Sequence, residues 1–140
     1  MQNLSTLALA IGLSALAGSS QLMAQDMREK GDIPFAFQVG DKTLAAGTYS
    51  VARTQLNGVI TLCNEETRTM IFTPLQAPAG QNRYNQSKLV FRKYGDRYFL
   101  AEVWFADDSV VHAMPKSKLE KEYAYDIHVG KPQIVYLSMR

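Results

Sequence analysis

The sequence predicts a mainly β protein: one small antiparallel β-sandwich or barrel of about seven to eight strands, with one short helix near 118–125. Three observations carry this. Apolar residues alternate with a period of two through most of the chain beyond residue 25. Gly- and Asn-containing turn signals recur at short intervals between these runs. A single segment, Ser117-x-x-Glu120, has the signature of a helix start.

Taken in order, residues 1–24 contain no Asp, Glu, Lys or Arg, and 4–17 (LSTLALAIGLSALA) is a run of small and apolar residues. The run is shorter than the roughly 20 apolar residues a membrane span needs, and Leu22-Met23-Ala24 offers a small-residue cleavage site. The expectation is a signal peptide over 1–24 and a single β domain over 25–140. That domain is exported, periplasmic or extracellular, with no transmembrane span in the mature chain. The usual basic n-region is missing; only the α-amino group of Met1 supplies positive charge there.

All 15 basic and 13 acidic residues fall after the signal, interspersed along the chain, and the net charge is only +2. This pattern predicts no nucleic-acid footprint. Cys63 is the sole cysteine, which excludes an intramolecular disulfide, and its expected place is as a small apolar residue in a strand.

The stretch 33–51 reads IPFAFQVGDKTLAAGTYSV. Ile33, Phe35, Phe37 and Val39 alternate with Pro34, Ala36 and Gln38, as in a strand with one apolar face, and Pro34 places that strand at a sheet edge. Val39-Gly40-Asp41-Lys42 supplies a tight reversal, and Leu44-Ala45-Ala46-Gly47 fits a type I turn. Tyr49, Val51 and Arg53 begin a second strand, and Asn57-Gly58 is a hairpin signal leading into 59–63 (VITLC). A further strand is expected over 67–73 (TRTMIFT), stopped by Pro74. Residues 74–87 (PLQAPAGQNRYNQS) have no periodicity and are expected to be an irregular segment, either mobile or functional.

The clearest hairpin joins 88–94 (KLVFRKY) to 97–105 (RYFLAEVWF). A three-residue loop at Gly95, Asp96 and Arg97 would place Leu89, Phe91, Phe99, Ala101, Val103 and Phe105 on one core face. Arg92, Tyr94, Tyr98, Leu100, Glu102 and Trp104 would then share the other. A short strand over 109–114 comes next, then the helix, then a closing strand over 133–139 (QIVYLSM).

The pattern I-P-F-x-F-x-V-G-x-x-x-L-x-A-G-x-Y-x-V at 33–51, with residues 88–104 and the Met114-Pro115-x-Ser117-x-x-Glu120 segment, resembles a family of short exported acidobacterial β-proteins whose activity is uncharacterised. The resemblance covers most of the mature chain. Where that family commonly has proline after the Leu of the second turn, this chain has Ala45, which weakens the turn without removing it. The resemblance implies an exported single β domain and brings no catalytic residue or ligand with it.

Chemistry is sparse. His112 and His128 form no H-x-H or H-x-x-x-H pair, and a metal site would need tertiary proximity of His112, His128 and Asp126. No G-x-S-x-G elbow is present, and Glu65 and Glu66 come after Cys63, which disfavours a reactive thiolate. Glu102 with Asp107 or Asp108 gives only the carboxylate pairs that any β-protein of this size contains. The sequence therefore points to a non-enzymatic protein without cofactor or metal, acting through contact with a protein or envelope component. The alternative is a carbohydrate or small-ligand binding module; a hydrolase ranks below both. Arg92, Tyr94, Tyr98 and Trp104 are the candidate binding residues, because aromatic rings mixed with hydrogen-bonding groups suit sugar rings and protein surfaces alike. Against this stands coverage of the same face by the helix or by 74–87.

Overall fold

The computed structural model describes residues 27–54, 58–74, 78–126 and 128–140. The expected signal peptide over 1–24 and Asn57 of the hairpin signal lie outside them. Among the described residues the chain forms eleven strands and one helix: β1 (Met27–Ile33), β2 (Phe37–Val39), β3 (Lys42–Leu44), β4 (Gly47–Thr54), β5 (Val59–Asn64), β6 (Met70–Pro74), β7 (Pro78–Gln81), β8 (Lys88–Tyr94), β9 (Arg97–Trp104), β10 (Val110–Ala113), α1 (Lys118–Tyr125) and β11 (Gln133–Ser138). The strands make two sheets and no closed barrel. One runs β1-β4-β5-β6; the other runs β11-β8-β9-β10-β7, with the β2–β3 hairpin attached to β9.

The mainly β architecture and the helix at 118–125 agree with expectation, and the extra strands are the short or polar ones. β1 (MREKGDI) has no apolar alternation; it is an edge strand, and Arg28, Lys30 and Asp32 sit where charges discourage edge-to-edge pairing. β7 (PAGQ) is exposed throughout and pairs with β10, so 74–87 is not one irregular segment. The loop between β7 and β8 is held by Asn82, whose buried side-chain amide donates to the carbonyls of Gln86 (2.9 Å) and Phe105 (2.8 Å).

The stretch 33–51 keeps its Gly40 reversal but not its single first strand, and 45–46 is a bend between β3 and β4, which lie in different sheets. Ile33 closes β1 in one sheet and Phe37 opens β2 in the other; residues 34–36 carry the chain across. The alternation survives the crossing, because Ile33, Phe37 and Val39 are all buried and Phe35 packs against the same core. A chain that changes sheets at a corner still aims every second side chain inward. Gly40, with φ +58°, makes the reversal between Val39 and Lys42. The bend at 45–46 is fixed from the strand beyond it: the buried Tyr49 hydroxyl donates to the Ala45 carbonyl at 2.6 Å. Tyr49→Phe is therefore expected to cost about 1 kcal/mol in a denaturant melt, with no change in slope.

The strand expected at 67–73 begins only at Met70. Asn64 Oδ1 accepts from the backbone N–H groups of Glu66 (2.9 Å) and Thr67 (3.0 Å), and Arg68 adopts a left-handed φ of 59°. That turn consumes the residues before Met70, and the strand ends at Pro74, which still pairs with Val59.

Both sheets contribute to one core: Tyr49, Val51, Ile60, Leu62 and Ile71 from the first meet Phe37, Leu89, Phe91, Leu100, Val103 and Phe105 from the second. Phe35, Phe37, Tyr49 and Phe91 pack edge to face, with centroids 5.2–5.5 Å apart.

The β8–β9 hairpin corrects the expected register. Tyr94 pairs with Arg97, so the loop is Gly95–Asp96, with Gly95 at φ +57°. A β-bulge then intervenes: Val90 faces Glu102 whereas Phe91 faces Leu100. Beyond the bulge Leu89 lies opposite Val103 as expected, but nearer the loop every β9 side chain is moved to the other face. Leu100 and Tyr98 thus turn toward Phe91, and Phe99 turns outward against Tyr94, with ring centroids 5.7 Å apart.

Candidate functional site

The four residues expected to share one face are distributed over three environments. Arg92 and Tyr94 point out from β8, but α1 lies over them. Ser117 caps the helix as the S-x-x-E pattern requires, its Oγ accepting from Glu120 N–H at 3.1 Å. Glu120 does not return the bond in the usual box. Its carboxylate, only 2 % exposed, turns to the sheet, where Arg92 donates through Nε to Oε1 and through Nη2 to Oε2 (3.1 Å). The Tyr94 hydroxyl donates to Oε1 at 3.2 Å. Phe99 and Tyr123 continue the contact at 5.9 Å, and the Arg97 guanidinium lies 5.5 Å over the Tyr123 ring. Burial would lower the Arg92 pKa, but the Glu120 hydrogen bonds and charge outweigh it and raise it. Burial and the Glu120 charge raise the Tyr94 pKa, although Arg92 opposes them. This is a helix clamp, already filled.

Tyr98 is on the inner side. Its ring stacks on Phe35 with centroids 3.7 Å apart and planes 11° from parallel, and Lys93 Nζ lies 5.3 Å from its centroid. It belongs with the core margin.

Trp104 alone of the four remains on an uncovered surface. Its Nε1–H donates to Glu102 Oε2 at 2.8 Å, and Lys88 Nζ stands 3.9 Å over its ring. The same ammonium is 4.8 Å from the Tyr136 centroid on β11, so Lys88 bridges the two aromatic rings. In the β11–β8 register Ile134 is opposite Arg92, Tyr136 opposite Val90 and Ser138 opposite Lys88; in the β8–β9 register Lys88 is opposite Trp104 and Val90 opposite Glu102. Ile134, Tyr136, Lys88, Glu102 and Trp104 consequently form one outward strip across β11, β8 and β9. Ile134 is 48 % and Tyr136 61 % exposed. The sequence signal for Ile134 and Tyr136 lies in the alternation of QIVYLS, but the pairing of β11 with β8 is needed to set them beside Trp104.

A second polar cluster joins the two sheets. Asp108, in the loop after β9, accepts from Arg53 Nη1 of β4 (3.1 Å) and contacts His112 Nε2 of β10 (2.5 Å). Burial raises the Asp108 pKa, but the His112 hydrogen bond, the Val110 N–H and the Arg53 charge outweigh it, so the carboxyl lies below its ordinary value. His112 is buried here, whereas His128 is exposed, its own N–H bonded to Asp126 Oδ1 at 2.9 Å. The proximity a His112, His128 and Asp126 metal site would need is not formed: Asp108, not Asp126, holds His112. Among the described residues no three His, Cys, Asp or Glu side chains are grouped to hold a metal ion. Cys63 is buried, with Sγ 3.7 Å from the Asn64 carbonyl.

Comparison with family models, with curated proteins and with solved structures finds no match to this chain.

Proposed function

We propose that this chain is a non-enzymatic exported β-domain, of the short acidobacterial kind its 33–51 motif resembles, and that it works by contact with a protein partner through the strip Ile134, Tyr136, Lys88, Glu102 and Trp104. The observation that carries the reading is the exposure of Ile134 and Tyr136 beside a half-buried Trp104 on a rigid, hydrogen-bonded sheet face. Aromatic side chains presented from a hydrogen-bonded sheet, with charged groups at their margin, are what protein contacts concentrate their free energy on.

A glycan is the second reading, favoured by the pairing of Trp104 with hydrogen-bonding groups. It is the weaker one, because a sugar ring stacks on an open aromatic face and Lys88 stands over the Trp104 ring. Arg92, Tyr94 and Tyr98 support neither reading, since Glu120 engages the first two and Phe35 the third.

The test is cell fractionation combined with crosslinking of the exported protein. Trp104→Ala with Tyr136→Ala is expected to abolish the crosslinked partner while the melting temperature stays within a few degrees, as for changes at exposed or half-exposed sites. Tyr98→Ala should instead lower stability by about 2 kcal/mol, since it removes a stacked ring from the core margin. Partner capture that survives the double substitution removes the strip from consideration. A saturable glycan-array signal lost in Trp104→Ala replaces the protein reading by the glycan one.

A further inference from the structure

The outer edge of β11 is an unfinished ladder. Met139 N–H donates to the Ser87 carbonyl on the β8 side at 2.8 Å, while Arg140 exchanges bonds with Lys30 of β1 in both directions (2.7 and 2.8 Å). Backbone groups along a strand alternate between its two sides. Residues 133, 135 and 137 therefore bond to β8, and Ile134, Tyr136 and Ser138 direct their N–H and C=O groups away from the sheet. The next rung toward β1 would set Asp32 against Ser138. No bond forms there; the strands part around a groove of about 460 Å³ lined by Asp32, Thr48, Leu137 and Ser138, with Lys30 and Arg140 at its closed end. Among the described residues no strand is paired with β11 on that side.

The other sheet margins are guarded. β1 carries alternating charges, β7 is four residues long and begins with proline, β6 ends in proline, and β3 is only three residues long and starts with Lys42. β11 has none of these devices: it is six residues long, pairs with β8 without a bulge, and holds no charged residue and no proline.

We propose that this edge binds a second copy of the chain, two β11 strands pairing antiparallel across a two-fold axis. Such pairing matches each outward donor to the acceptor of an identical strand, which is what an isologous contact requires. A charge-free strand meets no like charge in its copy, and a chain of net charge +2 offers little long-range repulsion. Pairing would also cover part of Ile134 and Tyr136 as cross-strand neighbours. It would join the two outer faces, bringing two Trp104–Lys88–Tyr136 strips onto one continuous sheet. Because one six-residue edge is a small interface, the dimer should form reversibly with concentration. The edge contact uses the outward backbone groups of β11, whereas the face contact proposed above uses the side chains of the strip.

The full chain is expressed for export, the N-terminus of the purified protein is fixed by mass spectrometry, and its mass in solution is measured by sedimentation over rising concentration. A shift from one to two chain masses is expected. Tyr136→Pro deletes an outward N–H and should abolish the shift, whereas Tyr136→Ala, which retains that N–H, should still dimerise. Ile134→Lys, at an exposed position, provides a second block that does not disturb the β8 ladder. Circular dichroism verifies that each variant folds. A wild-type protein that stays monomeric up to its solubility limit overturns the proposal, as does a dimer that persists in folded Ile134→Lys. Loss of the dimer with partner crosslinking intact would separate the edge from the strip.

Discussion

Glu120→Ala is expected to destabilise the protein by about 3 kcal/mol, since removing one member of a buried pair costs roughly 3 to 5 kcal/mol. The lower end applies because Arg92, with 18 % of its side chain exposed, can recover some hydration when its partner is lost. The Tyr94 hydroxyl would lose its acceptor in the same step. By contrast Ser117→Ala removes only the helix cap and should cost about 1 kcal/mol. Chemical denaturation decides: a lower midpoint at unchanged slope for Glu120→Ala, larger than that for Ser117→Ala, supports the clamp. If the two variants lose equal stability, Glu120 is acting through the helix end and not through the sheet. Replacing the pair together, as Arg92→Met with Glu120→Leu, should restore much of the loss, because apolar side chains of similar volume need no partner.

Asp108→Asn should cost about 2 kcal/mol at neutral pH, because it takes the anion away from Arg53 and His112, whose side-chain nitrogens lie 3.5 Å apart. The pH dependence comes from the direction of the Asp108 shift. A carboxyl whose folded pKa lies below its unfolded value, here the ordinary 3.8, contributes stability that is present above that value. The contribution is lost as pH falls through the lower folded pKa. The difference in stability between wild type and Asp108→Asn is therefore expected to be steady down to about pH 5 and to shrink below it. Paired urea melts from neutral to acid pH measure this. A difference that stays constant into strong acid would mean that the Asp108 charge contributes nothing to joining β4 to β10.

The largest elements were legible because their signals are local. Alternation in 88–94, 97–105 and 133–139, and the Ser117-x-x-Glu120 start, each depend on residues a few positions apart. β1 was not legible: an edge strand needs only one apolar face and spends its other positions on charge, so its sequence looks like a linker. β7 was hidden for a related reason, since its ladder with β10 is made by backbone groups and its side chains are all exposed.

The candidate site shows the same division more sharply. Sequence alternation grouped Arg92, Tyr94, Tyr98 and Trp104, and a single extra residue in β9 broke the group. A bulge costs one residue locally but reverses the facing of all that lie between it and the loop. Tyr98 was thereby moved to the core margin. Glu120 was assigned by the sequence to its own helix cap, and only the placement of α1 over β8 gave its carboxylate a better partner in Arg92. Tyr136 joined Trp104 through strands distant in sequence.

By itself, then, the amino-acid order determined the β class, the Gly40 and Gly95 reversals, the helix at 118–125 and the absence of local catalytic motifs. Those properties come from backbone preferences and from periodicities of a few residues. Tertiary structure decided which aromatic residues are covered, which polar groups are paired and which sheet edge is left open. Those depend on pairing between strands far apart in the chain, where a shift of one residue exchanges inside for outside.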